Sequence, residues 1–189
     1  MIFWIIGGVL LLLLIIGIIT IIACYNKLVQ LKNTVKSAWS DIDVQLKKRY
    51  DLVPQLVDVV KGASNYERSL LENVIKARAS AMGATSLSDK AKAENVLGNS
   101  LRSLIAVAEA YPELKANSNY TLLQGQLKEL EDNVEHARRY YNAVVRDFNI
   151  SIEAFPSNII ASWFRFEQAT LFGLESPEME RKPPKIDFA

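Results

Sequence analysis

The chain has 189 residues, with 22 Lys and Arg against 21 Asp and Glu, a formal net charge of +1, one Cys and one His. So even a balance leaves no basic footprint for nucleic acid, and one Cys excludes an internal disulfide or a knuckle of several cysteines. Half of the residues are hydrophobic, and much of that excess lies at one end.

That end is "IFWIIGGVLLLLLIIGIITIIAC", residues 2–24, which holds no charged residue. As a helix it would extend about 35 Å, enough to cross a hydrocarbon core. Trp4 and Tyr25 stand near its two ends, where amphipathic rings favour the headgroup region. Residues 2–24 therefore read as one transmembrane helix whose partner is the bilayer. A cleaved signal peptide would want a basic start and a shorter apolar core. The sharper rival is lipidation: "IIAC", Ile21 to Cys24, is similar to a loose lipoprotein cleavage box. In that alternative Cys24 carries lipid and the body lies outside the cytoplasm. Otherwise Cys24 is a small apolar residue at the membrane edge. No Lys or Arg precedes the span, while Lys27, Lys32 and Lys36 follow it, with Lys47, Lys48 and Arg49 beyond. The positive-inside rule then predicts a single-pass protein of the cell membrane with a cytoplasmic body.

From Leu28 the apolar residues continue through Leu31, Val35, Trp39, Ile42, Leu46, Tyr50, Val53, Val57 and Val60, in steps of three and four. This is one stripe on one helix, and it keeps its phase across Pro54. Were Pro54 the start of a new helix, Val53 would be its cap, and Val caps poorly. The expectation is a kink inside one long helix, with a break at Gly62 instead. "SNYE", Ser64 to Glu67, has the shape of a capping box, followed by a stripe at Tyr66, Leu70, Val74, Ala77 and Ala81. "GATSLSD", residues 83–89, reads as a turn with Ser88 as N-cap of a third helix carrying Leu97, Leu101, Leu104, Ala108 and Tyr111. That helix stops before Pro112. Gly98 weakens its middle or permits a close helix approach. After "PELKANSN" comes a last long helix with near-heptad apolar positions Tyr120, Leu123, Leu127, Leu130, Val134, Ala137, Tyr141, Val144, Phe148, Ile152 and Phe155, closed by Pro156.

The fold class predicted is all-α: an N-terminal transmembrane helix followed by an elongated antiparallel bundle of about four helices. The divisions are an anchor at 1–24, a bundle at 25–155, and an apolar segment with a flexible tail at 156–189. Within the last, "SNIIASWFRF", residues 157–166, has two outlets: docking on the bundle, the favoured reading, or lying on the membrane surface. "ESPEMERKPPKIDFA" is polar and Pro-rich and reads as poorly ordered.

Chemistry is hard to find. His136 lies beside Asp132 and Glu135, but the residue three before it is Asn133 and the chain has no second His, so a bundle di-metal site lacks its ligand pairs. No nucleophile–base arrangement and no phosphate-binding glycine loop stands out. "KKRY", residues 47–50, reads as a solvated face. Asp43 and Arg49 are expected to make polar contacts between helices, Asp43 with an arginine such as Arg78 or Arg138. No catalytic, cofactor-binding or metal residues are predicted, and no cofactor or small-molecule substrate.

Three stretches resemble one family: "YNKLVQLKNTVKSAWSDIDVQLKKRYDLVPQLVDVVKG" at 25–62, "EAYPELKANSNYTLLQGQLKELEDNVEHARRYYNAVVRDFN" at 109–149, and "FPSNIIASWFRF" at 155–166. With the closing "PPKIDF" they look like the LemA family, over essentially the whole chain. The resemblance implies a bacterial protein with one membrane helix and a helical-bundle body. Some members carry a lipobox-like Cys ahead of the "YN" motif, which keeps the Cys24 alternative open. It brings no established catalytic residues. The expected function is a non-enzymatic membrane scaffold that contacts copies of itself or another membrane protein. The alternative is an accessory subunit of a membrane protease or envelope stress system.

Overall fold

The computed structural model describes residues 1–62 and 68–173. The expected capping box at Ser64–Glu67 and the Pro-rich tail lie outside the described residues. Among the described residues the fold is all-α: α1 (Ile2–Lys61), α2 (Arg68–Gly83), α3 (Leu87–Ala108), the single turn α4 (Pro112–Lys115), α5 (Ser118–Glu153) and α6 (Ser157–Trp163). One helix, α1, is long and apolar enough to cross a membrane, near the N-terminus.

α1 runs through Pro54 without a break and ends one residue before Gly62, as the unbroken stripe predicts. A proline inside a helix leaves the carbonyl four residues back without its donor. That carbonyl belongs to Tyr50, and the Nε of Arg78 on α2 donates to it at 2.7 Å. The gap that Pro54 opens is thus closed from a neighbouring helix. Arg78→Ala is expected to destabilise the chain by about 1.5–3 kcal/mol, since a charge-assisted bond to a partly buried carbonyl is lost. In a Pro54→Ala background, where the helix supplies its own donor, the loss should shrink by half or more. A double-mutant cycle on thermal unfolding reads the coupling.

The third helix is capped by Ser86 and not by Ser88. Ser86 Oγ accepts from the Asp89 amide at 3.0 Å and donates to the Asp89 carboxylate at 2.7 Å. Only Ser86 has an acidic residue three positions on, which is the reciprocal pattern a cap needs. Asn117 starts α5 in the same way, its Oδ1 accepting from the amides of Asn119 (2.9 Å) and Tyr120 (3.3 Å). Pro112 opens the short α4 at the position where a missing N–H does no harm. The heptad stripe of α5 ends earlier than its spacing suggested: the helix stops at Glu153, and Phe155 is exposed.

The chain forms two compact units. The first comprises residues 1–42 and 137–171. Its core is Leu28, Phe148, Ile160 and Ala161, with Cys24, Leu31, Val35, Ile152, Phe166 and Ala169 packed around them. Beyond α6 the chain has no regular secondary structure and is held to α5 by polar clasps. Asn149 pairs its side-chain amide with both backbone groups of Ala169 at 2.9 Å, and Tyr141 donates to Thr170 O at 2.9 Å. α6 ends in a Schellman motif: Phe166 N–H reaches Ala161 O (2.9 Å), Arg165 N–H reaches Ser162 O (3.3 Å), and Arg165 has φ 56°. A non-Gly residue in that left-handed conformation costs about 1 kcal/mol. Arg165→Gly is therefore expected to stabilise the unit by about 0.5–1 kcal/mol, read as a raised unfolding midpoint.

The second unit comprises, among the described residues, 43–62, 68–136 and 172–173. Leu-, Val- and Ala-rich faces of four helices supply its core, including Leu46, Val53, Leu56, Val74, Leu97, Leu101, Leu104 and Tyr120.

Candidate functional site

Among the described residues, the second unit buries one cation and one anion. Arg49 and Glu94 are 2% and 4% exposed. Both stand on the apolar stripes of their helices: Arg49 between Leu46 and Val53 on α1, Glu94 between Ala91 and Leu97 on α3. They form an ion pair with each other. Arg49 Nη1 also donates to Glu131 Oε1 on α5 at 2.7 Å. The hydroxyl of Tyr50 donates to the same Glu94 carboxylate and lies 3.4 Å from the Ala81 carbonyl on α2. One cluster therefore ties α1, α2, α3 and α5 together. Each buried charge meets an opposite charge and has a hydrogen bond besides, Arg49 to Glu131 and Glu94 from Tyr50, the arrangement in which burial is tolerated.

Two expectations are corrected by this geometry. "KKRY" is a solvated face at Lys47 and Lys48 alone: Tyr50 points inward as its place in the apolar stripe predicts, and Arg49 points inward to make the contact between helices expected of it. Asp43 pairs with Lys90 at 3.1 Å and not with Arg78, and its side chain is 59% exposed. Arg78 is held by the Tyr50 carbonyl. An exposed pair of this kind contributes about 0–1 kcal/mol, so Asp43 carries little of the stability.

Burial pushes the Tyr50 phenol up to about 12, with Arg49 beside it pulling the other way and Asp43 adding to the rise. Burial raises Tyr120 and Tyr141 as well, Tyr120 with help from Glu109. A phenol raised in the folded state favours folding fully below its unfolded value near pH 10. That contribution falls away as pH rises through about 12. Unfolding midpoints should drop progressively over this window, and Tyr50→Phe should flatten the drop. Ultraviolet difference absorbance of the phenolates reads the same titration directly.

A groove of about 660 Å³ opens between α3 and α5 in this unit. Its floor includes Leu101, Ile105 and Leu127, and Arg102, Lys128 and Asp132 stand on its rim. Gly98 and Gly125 face it from the two helices, and no atom comes within 4 Å of where a Cβ would stand on either. Gly98 therefore opens a groove instead of permitting a close helix approach. His136 is exposed on α5. Among the described residues no three His, Cys, Asp or Glu side chains are grouped to hold a metal ion. Cys24 is half-buried against the core of the first unit.

These features define a class: an all-helical protein with one membrane-length apolar helix, its deepest charges engaged with one another. The chain belongs to the LemA family, whose model matches residues 38–188. It is similar to Magnetosome protein MamQ 2 of Paramagnetospirillum magneticum, 25% identical over 82% of this chain and 66% of that one. It is also similar to Protein LemA of Metamycoplasma hominis, 24% identical over 82% of this chain and 71% of the relative. Magnetosome protein MamQ of Magnetospirillum gryphiswaldense is 22% identical over 82% and 66%. The chain thus spans just under two thirds of the length of the magnetosome relatives.

Proposed function

We propose that this chain is a non-enzymatic scaffold or interaction protein, anchored in a cell membrane by residues 2–24. Its surface, not a reaction centre, would do the work. The observation that carries this reading is the fate of the buried charge: Arg49, Glu94 and Tyr50 are used in joining four helices. What remains accessible is surface, above all the groove between α3 and α5, with apolar floor and mixed charges at its rim. Such a surface suits another helix better than a small substrate.

A photo-crosslinking residue in place of Arg102 or Lys128, activated in intact membranes, tests the reading. It predicts discrete protein adducts. An adduct of twice the chain's mass identifies self-assembly, and an adduct to a membrane protease identifies an accessory subunit. Absence of adducts, together with a catalytic activity of the purified chain lost in His136→Ala, would overturn it.

A further inference from the structure

The proposed anchor and α6 meet at a defined depth. A crevice of about 300 Å³ is walled by Gly17, Thr20, Ile21 and Cys24 of α1 and by Pro156, Ile159, Ile160 and Trp163 of the α6 region. Residues 17–24 are the last two turns of the apolar span, covering about 10 Å of helix axis. α6 therefore packs at the level where the span leaves the hydrocarbon, wherever the bilayer holds residues 2–24.

Its exposed surface suits that level. Ile160 and Ala161 are buried in the protein core, whereas Phe155 is 81%, Trp163 68%, Phe164 53% and Ile159 44% exposed. No charged residue occurs from Ala154 to Phe164; Glu153 precedes the run and Arg165 follows it. Four large apolar side chains gathered on one short segment mark a binding surface. Its continuity with the lipid-facing span names lipid as the occupant. Amphipathic segments of this kind enter the headgroup–acyl boundary by about 5–10 Å, and Trp is favoured there. We propose that residues 155–164 form a second membrane contact, an elbow seated in the interfacial layer of one leaflet beside the exit of the span.

The proposal rests on residues 2–24 crossing the bilayer, and the experiment separates the two. The full chain carries Trp4→Phe and Trp39→Phe, leaving Trp163 as the one tryptophan, and is reconstituted in phosphatidylcholine vesicles containing lipids brominated at shallow or deep acyl positions. A second version also carries Trp163→Phe and Leu12→Trp, as a depth standard in the span. Trp163 should lose most of its emission to shallow bromines, less to deep ones, and little to iodide in the water, while the Leu12→Trp standard is quenched by deep bromines. Quenching of that standard with Trp163 open to iodide would overturn the elbow alone. A Trp163 shielded from both bromines and iodide would mean that protein, such as a second copy, covers it, which also overturns the elbow. If the standard too escapes bromine, the span reading fails with it. Should Trp39→Phe weaken the fold by circular dichroism, a nitroxide on Ile159→Cys in a Cys24→Ser chain gives the depth instead. Relaxation by oxygen is then expected to exceed relaxation by a water-soluble nickel chelate, and the reverse order would overturn the elbow.

Discussion

Replacing Arg49 with alanine is expected to destabilise the second unit by about 3–5 kcal/mol, because it leaves the Glu94 carboxylate buried without its counter-charge. A loss of that size should lower the thermal midpoint of the detergent-solubilised chain by on the order of 10 °C, read by circular dichroism. Arg49→Lys should recover only part of it. A lysine keeps the charge, but it cannot serve Glu94 and Glu131 together as the forked guanidinium does. Glu131→Gln should have the milder effect, since that carboxyl is 42% exposed and water can replace what it loses.

The second large effect concerns the anchor. Leu11 and Ile15 stand one turn apart near the middle of the apolar stretch. Leu11→Arg with Ile15→Arg should oppose insertion by roughly 5–7 kcal/mol, at about 2.5–3.5 kcal/mol for each arginine at a helix centre. The doubly substituted chain is expected to leave the membrane fraction on alkaline carbonate extraction, while the native chain stays in the pellet. Unfolding of the second unit should be unchanged, since its core draws nothing from residues 2–24. Retention of the doubly charged chain would point to another attachment, such as lipid on Cys24.

The helical class and the continuity of α1 through Pro54 are legible from one property, the apolar step of three and four, which helices impose whatever surrounds them. What closes the Pro54 gap is not legible. The donor, Arg78, comes from another helix, and a local pattern says nothing about partners far along the chain. The contact between helices expected of Arg49 is present, but its partners, Glu94 and Glu131, are not legible for the same reason. Reading charge as solvated is sound for most residues, but Arg49 and Glu94 occupy stripe positions, three or four residues from buried neighbours on each side. Two opposite charges on the inner faces of two helices are a visible sign of a buried pair. The expectations for Ser88 and Phe155 fail at element ends, where the choice between neighbouring serines, or between one more turn and a bend, depends on side-chain hydrogen bonds. For the apolar segment at 157–166, sequence alone leaves two fates open. In the structure Ile160 and Ala161 are buried in a core, while Ile159 and Trp163 stay exposed beside the apolar stretch of α1.

Central to the proposed function is a buried cluster whose role is to fasten four helices. Its most direct test replaces the cluster by apolar side chains of similar size, Arg49→Met, Tyr50→Phe and Glu94→Leu together, in the membrane-bound chain. Swaps of whole buried ion pairs for well-packed apolar residues are often neutral or stabilising by about 1–4 kcal/mol. The triple variant is therefore expected to unfold at or above the native midpoint and to give the same crosslinked adducts from the α3–α5 groove. A variant that folds as well as the native chain yet loses those adducts would contradict the account.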